Sequence, residues 1–244
     1  MDDFVNPTGS AKNDDAAVIF LRQLRLAGPW MLLAIDPESG GIEAKTIENT
    51  DGVRSFVAKH NGTRNLYYSL NPTRTSMDKK AAKTDIARIE FVPADLDPKP
   101  DEPPEDAKKR YLDAIREFKK KPTAIIDSGN GLNVIFKLAK PIELPEPVIA
   151  KGRRRPNGEP QSDSLVFDDE TQKVIADIEG RAAQLMKDLG SAAGTQNIDR
   201  ILRLPGTTNL PTKKKLREGR VQCQAKLIEF GTSTFEVCRH QRAG

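Results

Sequence analysis

The stretch that decides the fold occupies residues 89–97 and reads Ile-Glu-Phe-Val-Pro-Ala-Asp-Leu-Asp. Its apolar and β-branched residues predict a β-strand that ends at Leu96. Side chains on a strand alternate between its two faces, so Asp95 and Asp97 share one face while Leu96 points into the core. Two ionised carboxylates this close repel each other, and a bound divalent cation relieves the repulsion. The stretch therefore predicts a metal site suited to phosphoryl chemistry, with a plain acidic turn as the alternative.

Helical and strand patterns mix irregularly on both sides of this strand. Helices are predicted after a capping group at Asn13 and over residues 52–60, 107–120 and 171–189. The helix at 107–120 follows an acidic, proline-rich loop at 98–106. Short apolar runs predict strands at residues 30–36, 42–47, 65–70, 86–96, 123–126, 132–138, 198–204 and 221–230. Because these segments do not follow a strict βα alternation, they favour an α+β sheet sandwich over a doubly wound parallel fold.

Length and charge bear on the number of domains and on the kind of partner. The 244 residues predict a single two-lobed domain over residues 13–240, preceded by a flexible N-terminus at residues 1–12. The 39 Lys and Arg and the 35 Asp and Glu leave a net charge of only +4. The two signs are nevertheless separated, with acids in residues 95–106 and bases in residues 151–155 and 200–220. This separation is compatible with a nucleic-acid partner but does not establish one.

The basic residues fall into two clusters that could follow a nucleic-acid backbone. A basic run on a solvated surface is the alternative interpretation for either cluster alone. The residues concerned are Lys151, Arg153, Arg154, Arg155, Lys213, Lys214, Lys215, Arg217 and Arg220.

The cellular compartment is predicted from three simple features. Two cysteines are too few for a disulfide framework, and the N-terminal Met-Asp-Asp-Phe lacks the basic region and the apolar run of a signal peptide. No stretch approaches the ~18 consecutive apolar residues that a membrane span needs. We therefore expect a cytoplasmic protein with no membrane partner.

A glycine-rich turn is predicted between the strands at 123–126 and 132–138. Residues 127–133 read Asp-Ser-Gly-Asn-Gly-Leu-Asn. Glycines allow a close backbone approach to a ligand, and Ser128 and Asn133 offer donors to phosphate oxygens. For this motif taken alone, an ordinary hairpin loop is the favoured interpretation.

A second polar segment lies at residues 197–209, which read Asn-Ile-Asp-Arg-Ile-Leu-Arg-Leu-Pro-Gly-Thr-Thr-Asn. Arg200 and Arg203 flank an apolar pair, and arginine is the favoured residue for bidentate contacts to phosphate. Asp199 could complete a carboxylate set with the aspartates of the first stretch. The alternative is an extended segment whose arginines are solvated or ion-paired.

Together, and in this order, these elements resemble the archaeo-eukaryotic primase superfamily, specifically the primase-polymerase domains of plasmids, phages and other mobile elements. Four stretches carry the resemblance, at residues 65–72 (Asn-Leu-Tyr-Tyr-Ser-Leu-Asn-Pro), 94–98 (Ala-Asp-Leu-Asp-Pro), 127–133 and 199–209. The resemblance implies a two-lobed α/β domain whose catalytic lobe is built on an RNA-recognition-like sheet.

The resemblance also implies which residues form the site. Asp95 and Asp97 would bind the catalytic Mg²⁺ or Mn²⁺, with Asp199 as the third metal ligand. The family places a histidine beside the nucleotide where this chain has Asn133, and an amide can donate to phosphate but carries no positive charge. Arg200 and Arg203 would supply that charge. The implied nucleotide-binding residues are Ser128, Gly129, Asn130, Asn133, Arg200 and Arg203, and the implied nucleic-acid-binding residues are Arg153, Arg154, Arg155, Lys213, Lys214 and Lys215.

The activity implied is that of a DNA primase, a DNA polymerase or both, which joins nucleoside triphosphates on a single-stranded DNA template by a two-metal mechanism. A replicative helicase domain or protein is the expected partner. Two alternatives stay open: a non-catalytic nucleic-acid-binding replication module, suggested by Asn133, and a metal-dependent nuclease, since paired aspartates serve phosphodiester hydrolysis equally well. The sequence places no histidine near the carboxylates as a general base, which disfavours hydrolysis.

Overall fold

The computed structural model describes residues 13–152, 162–217 and 220–236. The predicted flexible N-terminus at residues 1–12, the predicted DNA-binding residues Arg153, Arg154 and Arg155, and the residues from 237 onwards lie outside the described residues. Within these ranges the helices are Asn13–Leu24 (α1), Thr50–His60 (α2), Pro104–Glu117 (α3), Asp169–Asp188 (α4) and Lys213–Arg217 (α5), with a short 3-10 helix at Lys83–Asp85.

The described strands are β1 (Trp30–Ile35), β2 (Ile42–Ile47), β3 (Asn65–Ser69), β4 (Arg88–Leu96), β5 (Ala124–Asp127), β6 (Leu132–Glu143), β7 (Val148–Ala150), β8 (Ser164–Val166), β9 (Ile201–Arg203), β10 (Thr208–Asn209), β11 (Cys223–Gln224), β12 (Lys226–Phe230) and β13 (Thr234–Phe235). The first sheet has the order β2-β1-β3-β9, with every neighbour antiparallel. In the second sheet β12, β5, β6 and β4 are antiparallel neighbours in that order, and β13 runs parallel to β6. The pairs β7-β8 and β10-β11 form separate two-stranded ribbons.

The two sheets share their hydrophobic core. One buried cluster joins α1 and α2 to β1 and β3 and includes Phe91 and Ile135 of the second sheet. The other joins α3 and α4 to β4 and β6 and includes Met31 and Leu33 of the first sheet. Alternate residues of β1 therefore enter different clusters, as the two-residue period of a strand requires. The shared core brings the last residues of β4 close to the segment that leads into β9.

Several boundaries differ from those expected. Helix α3 begins at Pro104 rather than at residue 107, because proline has no N–H to leave unbonded in a first turn and fixes a helical φ. The acidic residues Glu105 and Asp106 then lie in that first turn, where the helix dipole favours negative charge. Strand β6 continues to Glu143, five residues beyond the expected end at Leu138. Across the described ranges, none of the helices is long and apolar enough to cross a membrane.

Candidate active site

The acidic pair lies where β4 ends. Asp95 is opposite Asn133 of β6 in the strand register, and the Asn133 amide Nδ2 donates to Asp95 Oδ1 at 2.8 Å. Leu96 is fully buried, whereas Asp97 is exposed and its backbone oxygen accepts from the Tyr111 hydroxyl at 2.6 Å. The side chain of Asp95 is 13% exposed, so its carboxylate is sheltered while that of Asp97 faces solvent.

The environment of Asp95 disfavours its ionised form. Burial raises the pKa of Asp95, and the negative charge of Asp97 raises it further. Arg200 and Asn133 oppose this pKa shift through a positive charge and a hydrogen bond, without cancelling it. This is the mutual repulsion of carboxylates that the sequence predicted, and it is the situation that a divalent cation relieves.

Arg200 reaches Asp95 from the segment that directly precedes β9 of the first sheet. Its guanidinium Nη2 forms an ion pair with Asp95 Oδ2, so both oxygens of this carboxylate contact donors of the chain itself. The backbone of Arg200 is fixed on both sides, because its N–H donates to Asn197 O at 3.1 Å and its carbonyl accepts from Leu70 N–H at 3.1 Å. The Nε of Arg200 is buried and has no hydrogen-bond partner among the described residues.

The glycine-rich turn between β5 and β6 is held by its own polar groups. The N–H and the hydroxyl of Ser128 both donate to Gly131 O at 3.0 Å, and Gly129 N–H donates to Asp127 Oδ1 at 2.7 Å. Gly129 has a φ of +102°, a conformation that residues with a Cβ rarely adopt. Asn130 is also buried in this turn. These hydrogen bonds hold the backbone of the turn, and the phosphate contacts predicted for Ser128, Gly129 and Asn130 stay predictions.

Arg203 stabilises this turn through Asn209. It is buried on β9, with its guanidinium 4.3 Å from the centre of the Tyr67 ring, and its Nη2 donates to Asn209 Oδ1 at 2.9 Å. Asn209 in turn donates through Nδ2 to Ser128 O at 2.7 Å. Asn209 therefore links Arg203 to the glycine turn. Any contact of Arg203 with a nucleotide stays a prediction.

A buried lysine supports the other side of the turn. Lys108 of α3 donates through Nζ to Asp127 Oδ2 at 3.0 Å and to Glu105 at 2.8 Å. Asp127 thus binds Lys108 with one carboxylate oxygen and the turn's backbone with the other. Sequence reasoning missed Lys108 because nothing in the pattern of α3 indicates what its side chains face.

Asn71 is the second residue whose role the sequence did not reveal. Its fully buried amide accepts at Oδ1 from the backbone N–H groups of Glu90 and Phe91, at 2.8 and 3.0 Å. Its Nδ2 donates to Phe91 O at 3.2 Å and to Ile198 O at 3.0 Å. One side chain therefore ties β4, which carries Asp95, to the segment that carries Arg200.

Asp199 lies in the same segment, directly before Arg200. The residue is half-buried, and its Oδ1 is buried with no hydrogen-bond partner in the described part of the chain. No group of three or more His, Cys, Asp or Glu side chains in the described ranges is arranged to hold a metal ion together. Asp95, Asp97 and Asp199 are thus not grouped as one three-carboxylate cluster, and the role of Asp199 as a third ligand stays a prediction.

The donor chemistry of the acidic pair nevertheless fits a hard divalent cation. Carboxylate oxygens are the ligands that Mg²⁺ and Mn²⁺ prefer, and one or two of them suffice when substrate phosphates complete the coordination. Asn133 adds an amide oxygen that is buried and finds no partner within the described residues. Asp95 and Asp97 are the residues that would hold such an ion.

The predicted basic residues that the structure describes lie on the surface. Lys213, Lys214 and Lys215 are exposed on α5, and Lys213 forms an ion pair with Glu38 at 3.0 Å. These side chains are accessible to a polyanion, and their role in DNA binding stays a prediction.

Gly131 lies directly against the backbone that carries the acidic pair. A Cβ at this position would lie 2.4 Å from Leu96 O and 3.3 Å from Asp97 Cα. Both neighbours are backbone atoms, so a larger residue would have to displace the end of β4. The close approach of the two strands requires glycine here.

Gly131→Ala is therefore expected to lower the free energy of unfolding by about 1–3 kcal/mol, the usual cost of overpacking a buried position. Urea denaturation followed by circular dichroism measures this change. Gly180→Ala is the matched control, because Gly180 is exposed within α4 and a methyl group there would meet open space, so alanine should stabilise the helix by roughly 1 kcal/mol. Equal effects of the two variants would contradict the steric argument.

The sequence matches no protein-family model and no curated protein. Three solved structures are similar in fold. The AEP domain of the cyanophage S-2L primase-polymerase has a TM-score of 0.54 and 13% identity, over 91% of this chain and 92% of that one. Primase RepB′ has a TM-score of 0.52 and 14% identity, over 91% of this chain and 58% of that one. The catalytic domain of RepB′ in complex with initiator DNA has a TM-score of 0.50 and 11% identity, over 92% and 88%.

This chain has the fold of a primase-polymerase domain. The predicted α+β architecture and its relation to the primase fold are confirmed. Within the primase-polymerase fold, the acidic pair, the glycine turn and Arg200 meet at the ends of β4, β5 and the segment before β9.

Proposed function

We propose that the chain catalyses template-directed nucleotidyl transfer, as a DNA primase, a DNA polymerase or both, on single-stranded DNA. The observation that carries the proposal is the sheltered Asp95 carboxylate beside Asp97, at the end of a strand of a primase-polymerase fold. Paired carboxylates that face a glycine turn and an arginine suit the transfer of a phosphoryl group, where the protein contributes mainly position and charge. One structural neighbour is described as bound to initiator DNA, which supports a DNA substrate.

Asp95 and Asp97 would hold Mg²⁺ or Mn²⁺, with Asp199 as the third carboxylate. The bound ions would make the attacking 3′-hydroxyl more acidic and neutralise the leaving pyrophosphate. Asn133 orients the Asp95 carboxylate through its 2.8 Å hydrogen bond, so its contribution here is positional rather than ionic. Arg200 supplies positive charge beside the carboxylates.

The incoming triphosphate would lie against the glycine turn. Ser128, Gly129 and Asn130 are the turn residues proposed to contact it. The Ser128 hydroxyl can rotate away from Gly131 O to donate to a phosphate oxygen. Arg203 holds the turn through Asn209, which keeps the phosphate-facing surface rigid. A turn whose backbone is held in place before the substrate binds reduces the reorganisation that the reaction requires.

The template would follow the basic residues of the surface. Lys213, Lys214 and Lys215 of α5 and the sequence-predicted Arg153, Arg154 and Arg155 are the candidates. Contacts to phosphates release counterions, so template affinity should fall steeply as salt increases. A replicative helicase domain or protein is the proposed partner in the cell, and the cytoplasm the proposed location.

An extension assay on single-stranded DNA, with Mg²⁺ or Mn²⁺ and labelled nucleotides, tests the proposal. New labelled product is expected from the wild-type protein and none from Asp97→Asn. Asp97 is a suitable position because its side chain is exposed and the hydrogen bond from Tyr111 goes to its backbone oxygen, so the fold should be unchanged. Shortened template would instead indicate a nuclease, and DNA binding with neither reaction would indicate a non-catalytic module.

A further inference from the structure

Arg200 contacts the same carboxylate that the proposed function assigns to a metal ion. Asp95 is a poor metal ligand while this contact is in place, since Arg200 and Asn133 each contact one of its oxygens. A divalent cation and a guanidinium compete for the same negative charge and repel each other at close range, so each weakens the binding of the other.

Only the side chain of Arg200 would need to move. Its backbone is held by hydrogen bonds to Asn197 and Leu70, whereas its side chain is 31% exposed and therefore has a route to solvent. The ion pair is also incomplete, because Nε is buried and makes no hydrogen bond to any described residue. A bidentate arginine donates through two of its nitrogens, whereas the contact with Asp95 is made through Nη2, so it lacks the geometry that makes such pairs strong.

We propose that Arg200 is a charge placeholder, which neutralises Asp95 in the metal-free protein and leaves it when a divalent cation binds to Asp95 and Asp97. This inference rests on the proposed function, because it requires a cation at the acidic pair. Arg200 then turns toward the triphosphate, whose negative charge takes the place of Asp95. Cation and nucleotide therefore favour each other's binding, and each raises the affinity of the other by the same factor.

Direct titration of Mn²⁺, with the free ion counted by electron paramagnetic resonance and no nucleotide present, tests the competition. Arg200→Gln should bind Mn²⁺ about 5–150-fold more tightly than the wild type, the usual range for coupled binding. Arg116→Gln is the matched control, because it removes the same charge from an exposed position of α3 whose ion pair is with Asp113. Its Mn²⁺ affinity should equal that of the wild type.

A second measurement on the wild-type protein separates displacement from simple charge repulsion and needs a variant only to assign the signal. The Arg200 Nε–H is buried, so its nuclear magnetic resonance signal should exchange slowly with water in the metal-free protein. Saturating Mg²⁺ should make this exchange much faster, as the side chain moves into solvent. Arg200→Lys assigns the signal by its loss.

The outcomes distinguish the two proposals. Loss of Mn²⁺ binding in Asp95→Asn supports the acidic pair as the cation site and leaves the proposed function standing. The placeholder role is wrong if Arg200→Gln then binds Mn²⁺ no more tightly than the wild type. It is also wrong if the Arg200 Nε–H of the wild type stays protected from exchange in saturating Mg²⁺. If neither the wild type nor Arg200→Gln binds Mn²⁺ without nucleotide, the placeholder role is wrong, and the extension assay alone decides the proposed function, because substrate phosphates then have to complete the coordination of the cation.

Discussion

Asp95→Asn is expected to reduce nucleotide incorporation by at least about a thousand-fold while the protein stays folded. The amide keeps the shape of the side chain but loses the negative charge that would hold the cation. A bound metal stabilises the transition state by several kcal/mol, and each 1.36 kcal/mol changes the rate about tenfold. The initial rate of labelled product formation on single-stranded DNA measures the loss.

The free energy of unfolding of Asp95→Asn should stay the same or increase, although its rate of nucleotide incorporation falls. Burial and the neighbouring Asp97 raise the pKa of Asp95 in the folded state. The folded state therefore binds the proton more tightly than the unfolded state, and the contribution of Asp95 to stability is lost as the pH rises through its folded pKa. At neutral pH the ionised carboxylate opposes folding, and removal of its charge offsets the loss of one of the two acceptors that Asn133 and Arg200 use, so the amide should leave the melting temperature unchanged or raise it.

The control for this comparison is Asp113→Asn, which removes a carboxylate that is half-exposed on α3. It should retain full activity. The difference in melting temperature between Asp95→Asn and the wild type should shrink in acid, where Asp95 is already neutral. An Asp95 variant that unfolds at neutral pH, or that keeps its rate of synthesis, would contradict this account of the site.

The elements that the sequence predicted well are those with a strong periodic signal. The expected strand end at Leu96 agrees with β4, and the expected helix at residues 171–189 agrees closely with α4. A regular apolar spacing over many residues, with polar residues at its ends, determines such elements locally, without reference to the rest of the chain. The ribbon of β7 and β8 was missed, because three-residue strands with exposed Val148 and Ile149 have no period to detect.

The site was only half predictable for a related reason. The sequence showed which residues carry useful chemistry, including Asp95, Ser128 and Arg200. It could not show that Arg200 would contact Asp95, because 105 positions separate the two and their meeting depends on the packing of two sheets. The Asn133 bond to Asp95 likewise requires the β4-β6 register, which no local pattern specifies.

Asn71→Ala is expected to be the most destabilising of the substitutions considered. The register between β4 and β6 shifts between Ile89 and Phe91, where β6 passes through Pro141 and the regular ladder is interrupted. The Asn71 carboxamide oxygen accepts there from the backbone N–H groups of Glu90 and Phe91. Alanine would leave the buried Phe91 N–H and the part-buried Glu90 N–H without that partner, and an unsatisfied buried donor costs about 1–3 kcal/mol.

The loss should therefore reach about 3–5 kcal/mol, which for a chain of this size lowers the melting temperature by roughly 10 °C or more. Thermal unfolding followed by circular dichroism measures it. Asn197→Ala is the matched control, since Asn197 is exposed and its contact with Arg200 is made by its backbone oxygen. The Asn71 amide also bonds to Ile198 O, two residues before Arg200, so its removal should loosen the Arg200 contact with Asp95 as well. If Asn71→Ala melts within a degree or two of Asn197→Ala, the Asn71 bridge is not what holds β4 to this segment.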